Sequence, residues 1–236
     1  MNYENVTLCK LALASTMYDS LTPFNYSLGR LNEATGGCID LANPAHRMSL
    51  IKWLNDWGCR SLSKAHHKVA SCSILNWYQA NCATLFNEKT PLWQLEDQEI
   101  EAAANAYSFL KGKTGAWRVR SGREEEVSIG ETAASKILFA IRPKALMPWD
   151  EAMRVAFKCD GSPESYSRYL KIIRNLTSHI GVLCRNKGFQ IDDLPRELGR
   201  PDSTVIALVN EYIWITETRQ VELPSSRTLA RWVELG

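Results

Sequence analysis

The chain lacks an apolar run long enough to span a bilayer, and its opening residues Met1-Asn2-Tyr3-Glu4-Asn5 lack the basic start and hydrophobic block of a signal peptide, so a soluble cytoplasmic protein is expected. It also lacks a bulk charge: the net value of +2 gives no general attraction to polyanions, and any nucleic-acid contact must come from a local patch. The seven cysteines (Cys9, Cys38, Cys59, Cys72, Cys82, Cys159, Cys184) never form a C-x-x-C pair, which argues against a disulfide framework and against a zinc ribbon; they are expected to be reduced and mostly buried. Missing too are a glycine-rich phosphate loop, an H-E-x-x-H motif, a serine nucleophile elbow and any internal repeat, so nucleotide hydrolysis, zinc proteolysis and α/β-hydrolase chemistry lose their basis. No cofactor and no metal are expected.

What remains is ordinary globular material: 236 residues, 45% hydrophobic and 23% charged, enough to bury a substantial core. Apolar residues recur at steps of three and four while two-residue alternation is scarce, which predicts an all-α fold, a multi-helix globular bundle. Val6, Cys9, Leu13 and Met17 mark one helix; Leu50, Trp53, Leu54 and Trp57 mark another, ended by Gly58. The stripe Ala65, Val69, Cys72, Leu75, Tyr78, Cys82 and Leu85 predicts a third, and places Cys72 and Cys82 in the core rather than around a metal with His66 and His67. Ile100, Ala104, Tyr107 and Leu110 mark a fourth. Residues 1–95 form an N-terminal helical part and 96–236 a C-terminal one, or the two make one continuous domain.

The basic segment Lys111 to Arg123 reads as a loop or linker. Ser128 followed by Glu131 reads as a capping box that opens a helix to about Ile141. Pro143 and Pro148 then bound a short connection, and Asp150 stands where the next helix, with Met153 and Phe157, begins; aspartate is among the best N-caps, and a cap can still face a ligand. Ser162-Pro163 opens a long helix through Leu183. A helix starts at Thr204, whose later half Tyr212 to Thr216 is β-branched and aromatic enough for a short strand. Trp53, Trp57 and Trp77 read as packing residues. Trp117 and Trp149 fall in predicted loops, and Trp117 with Arg118, Arg120 and Arg123 makes a mixture suited to stacking on bases or gripping phosphates.

The run from Gly130 to Asp150 resembles the core of helix-hairpin-helix base-excision DNA glycosylases, with a helix-hairpin-helix-like element whose glycine and aspartate have the family's spacing. The resemblance implies that Ser128 and Gly130 offer backbone N–H groups to a DNA phosphate, that Asp150 is the catalytic carboxylate stabilising positive charge on a flipped nucleotide's sugar, and that Arg154 stands one helical turn beyond it. Thr132 occupies the place of the lyase members' lysine, which implies monofunctional excision, while Lys136, one turn on, could reach a phosphate. The blocks W-L-N-D-W-G-C-R (Trp53 to Arg60), A-S-K-I-L (Ala134 to Leu138) and P-W-D (Pro148 to Asp150) are also similar, in this order, to a group of helical bacterial proteins without an assigned activity. DNA is thus the expected partner. The alternatives are a non-enzymatic helical interaction module and a small-ligand enzyme using Asp150 with Lys136 or Arg154.

Overall fold

The computed structural model describes residues 5–234, so Met1 to Glu4, read above for a leader, lie outside the described residues. Among the described residues the chain is mostly helical with one small two-stranded sheet. Local chemistry sets many of the helix starts. Helix α1 (Leu8–Leu21) begins under the Thr7 hydroxyl, which accepts from the Lys10 N–H; α2 (Phe24–Thr35) ends in left-handed Gly36. Helix α3 (Pro44–Asp56) pairs an Asn43 cap with proline in its first turn, and left-handed Gly58 follows it. Helix α4 (His67–Asn81) is followed by α5 (Asp97–Lys111), which carries a capping box between Glu96 and Glu99.

The stripe of α4 is displaced from its expected positions. Ala70, Ile74 and Trp77 face the core, whereas Cys72 is exposed and Cys82 only partly buried. The Trp77 indole explains the choice, because its Nε1 donates to the Ala106 carbonyl at 2.8 Å and fixes α4 against α5. Of the seven cysteines, Cys59, Cys159 and Cys184 are buried and Cys9 and Cys38 are exposed, which corrects the expectation of general burial.

Lys111 to Arg123 is not a loop. Strands β1 (Thr114–Arg120) and β2 (Arg123–Ser128) form an antiparallel hairpin around Ser121-Gly122, both with positive φ, as a tight two-residue turn requires. Its residues are mostly exposed, so no buried alternation marked it in the sequence.

Helix α6 (Gly130–Ile141) is deeply enclosed, with every residue from Ala133 to Ile141 buried. Helices α7 (Glu151–Ala156) and α8 (Pro163–Asn186) follow, α8 capped by Ser162 with proline in its first turn as expected. The short α9 (Leu194–Glu197) leads to α10 (Val205–Ile213), which runs on into a π-helical turn over Trp214–Thr218, and α11 (Ser226–Glu234) closes the described chain. The strand considered for Tyr212 to Thr216 does not form. This segment has no strand beside it, and buried backbone polar groups can then be satisfied only within a helix. One hydrophobic core extends from Val6 to Ile215; α1 packs on α10, α3 on α6, and α5 on both α6 and α8. Among the described residues no helix is long and apolar enough to cross a membrane.

Candidate functional site

The connection between α6 and α7 is unusually well fixed. Ala145 to Trp149 are buried. The Tyr166 and Tyr169 hydroxyls of α8 donate to the Met147 and Pro148 carbonyls at 3.1 and 3.3 Å, and the Ser135 hydroxyl of α6 accepts from the Trp149 N–H at 3.2 Å. Trp149 packs among Tyr107, Tyr166 and Tyr169 and is 1% exposed, so it is a core residue and not a free stacking platform.

Held at the end of this connection, Asp150 caps α7: its Oδ1 accepts from the Met153 N–H at 2.8 Å. Its Oδ2 accepts from the Thr218 hydroxyl at 2.9 Å. The second bond depends on the π-helical turn, whose wider winding is a common device near functional sites. Asp150 also lines a small pocket walled by Tyr18, Phe24, Trp57 and Trp214, with Lys136 and Asn210 among its polar residues. The cavity is about 30 Å³, room for a water molecule or two. Tyr18 meets Trp214 edge-on at 5.1 Å and Phe24 lies 5.0 Å from Trp57. Phe24 and Trp214 are partly exposed, and Arg219 lies over the Trp214 ring at 5.4 Å.

Lys136 does not lie on an outer face. It is 8% exposed, its Nζ donates to the Trp57 carbonyl at 2.9 Å, and it sits 4.8 Å from the Trp57 ring centroid. Burial lowers the amine's pKa, while the neighbouring Cys59 and Asp150 oppose that shift. The carbonyl and the ring face partly replace the water this ammonium has lost.

The other expected site residues are elsewhere. Ser128 ends β2, paired with Thr114, and makes no capping box with Glu131; Ile129 precedes α6 instead, and its N–H donates to the Lys113 carbonyl at 2.7 Å. The ladder and the capping box compete for the same backbone, and the ladder forms. Gly130 has φ +79°, and a Cβ there would meet nothing within 4 Å. Gly130→Ala should therefore destabilise through backbone strain alone, by roughly 1–2 kcal/mol; an unchanged urea midpoint would contradict this.

Trp117, Arg118 and Arg120 are exposed on β1, where the register sets Trp117 opposite Glu126, Arg118 opposite Glu125 and Arg120 opposite Arg123. The acidic strand thus offsets much of the hairpin's basic character. Arg154 follows Asp150 by one turn but does not line its pocket, and its Nε is buried without a partner. The structure brings together Asp150 and Lys136 and leaves the hairpin residues apart from them.

Sequence reasoning missed Tyr18, Phe24, Asn210, Trp214 and Thr218. It also missed the polar cluster that positions them. Glu211, 1% exposed, accepts from the Ser15 hydroxyl at 2.5 Å, from Asn25 Nδ2 at 2.8 Å and from Arg200 at 3.3 Å. Arg200 also pairs with Asp19 at 2.8 Å. The cluster ties α1 and α2, the sources of Tyr18 and Phe24, to α10. A larger cleft of about 590 Å³ opens nearby between α2, the end of α6 and the start of α10. Compared with known protein families, curated proteins and solved structures, the chain matches none.

Proposed function

We propose that the chain is a DNA-binding protein that excises bases by glycosylase-type chemistry, with Asp150 as the carboxylate that stabilises positive charge developing on the sugar. The observation that carries this reading is the meeting of Asp150 and Lys136 in one aromatic-walled pocket, in which a flipped base could stack and a carboxylate could act at its edge. The spacing from Gly130 to Asp150, which resembles that of the glycosylases, supports it further, although β2 and not a first helix leads into Gly130. The pocket has room for water only, so this reading requires a base to displace Phe24 or Trp214, its partly exposed walls.

A screen of the purified protein against damaged and undamaged duplexes, read for both retention and excision, tests the proposal. Retention is expected to weaken steeply with added salt, since phosphate contacts release counterions. A flat salt response, or no retention, would reject DNA as the partner. The small-ligand reading has its own support, because Arg118 faces Glu125 and the cavity is narrow. It predicts binding of small planar molecules without retention of duplex DNA.

A further inference from the structure

The cleft of about 590 Å³ between α2, the end of α6 and the start of α10 shares no lining residue with the Asp150 pocket. Its volume falls within the roughly 300–1,000 Å³ of small-molecule sites. One wall is a single face of α2, where Asn25, Leu28, Gly29 and Asn32 recur at steps of three and four. Gly29 is the unusual member of that face. A glycine inside a helix is less stable than alanine, and its presence is ordinarily explained by a closely approaching neighbour or a positive φ. Neither holds here: a Cβ at Gly29 would meet nothing within 4 Å, and its φ is not positive. What the missing side chain leaves is open space along the α2 wall.

The chemistry of the walls defines the occupant. Leu28, Ile39, Phe139, Ile141 and Ala207 supply apolar surface. The charged lining residues cancel. Lys89 and Lys144 stand against Glu88 and Asp202, none of the four in an ion pair among the described residues, and Arg200 is already matched by Asp19 and Glu211. A balanced lining offers an ion no net counter-charge for the water it gives up, whereas an apolar body gains by leaving water. The Asn32 amide and the Ser203 hydroxyl line the same space and can meet a hydroxyl or carbonyl on the ligand. We infer that the cleft is a ligand site separate from the Asp150 pocket, taking an uncharged small molecule with an apolar body and one hydroxyl or carbonyl group, and that Gly29 makes the room for it. The inference does not depend on the base-excision reading.

Three probes with one naphthalene body test it in ligand-observed NMR titrations of the full chain: 1-naphthalenemethanol is uncharged, 1-naphthoate an anion and 1-naphthylmethylammonium a cation. The alcohol is expected to bind more tightly than either ion, by about fivefold or more. Gly29→Leu should weaken its binding by about tenfold or more, because the new side chain occupies the space along the α2 wall. A better helix former then stands in open space, so the same variant should unfold about 2–4 °C higher, which separates a filled site from a lost fold. In isotope-labelled wild-type protein the alcohol should shift the amide signals of Gly29, Ser203 and Ala207 and leave those of Asp150 and Trp214 in place. This mapping decides the question even if the leucine variant folds poorly. Binding of no probe, an ion bound as tightly as the alcohol, undiminished binding to Gly29→Leu, or shifts centred on Asp150 and Trp214 would overturn the inference. Absence of base release from DNA would sink the excision reading and leave the cleft's ligand standing; base release without binding of the alcohol would do the reverse.

Discussion

Asp150→Asn is expected to abolish base release while the protein stays folded. Asparagine is as good an N-cap as aspartate, so its Oδ1 can keep the Met153 N–H, and the Thr218 hydroxyl can turn to accept from the new amide. Stability should change by less than about 0.5 kcal/mol. The negative charge is lost, however, and with it both the partner for charge developing on the sugar and the nearby counter-charge to Lys136. Removing one such preorganised electrostatic group lowers turnover by on the order of 10²–10³-fold. Single-turnover base release, run beside a urea melt of the same preparation, separates the two effects. Undiminished release would remove Asp150 from the chemistry.

The largest expected loss of stability comes from Glu211→Ala. The substitution leaves the Ser15 hydroxyl, the Asn25 amide and one arm of Arg200 without their acceptor in a site that water barely reaches. Breaking a buried ion pair from one side costs roughly 3–5 kcal/mol, and the lower end applies here because Arg200 keeps Asp19. The pocket should loosen as well, since the cluster holds the helices that supply Tyr18 and Phe24. An equilibrium urea titration measures the first effect; a loss below about 1 kcal/mol, the range of an ordinary exposed ion pair, would contradict it.

The same residue carries a pH signature. Burial, as the largest influence, raises the Glu211 pKa above the ordinary 4.5, against the lowering effects of Ser15, Arg200 and Asn25. The folded state then holds this proton more tightly than the unfolded one. Its contribution is fully present below the ordinary value and declines as pH rises through the folded pKa. Glu211→Gln should remove that decline from the stability profile.

How much of this was legible in the sequence differs from one element to the next. Ser162-Pro163 and Gly58 act through their own backbone or side chain, and such signals survive folding unchanged. Asp150 as a cap was legible for the same reason. The β-hairpin was not, because both faces of its strands are largely exposed and leave no apolar alternation to read. Ser128 illustrates competition: a local capping pattern gave way to pairing with Thr114, fourteen residues earlier. Lys136 was read as able to reach a phosphate although it lies within A-S-K-I-L-F-A, whose apolar neighbours accompany its burial in α6. Beyond the contiguous Pro148 to Asp150 the pocket had no local signal, since α1, α2, the residue after α3, α6, α7, α10 and the π-helical turn each contribute a single residue to it.

Photo-crosslinking tests the central claim most directly, using a duplex that carries one 5-iodouracil and mass-spectrometric mapping of the attached residue. If the pocket beside Asp150 receives an extruded base, the crosslink falls on Trp57, Trp214 or Phe24. Attachment confined to Trp117 on the hairpin would show that DNA touches the surface and that no base enters the pocket.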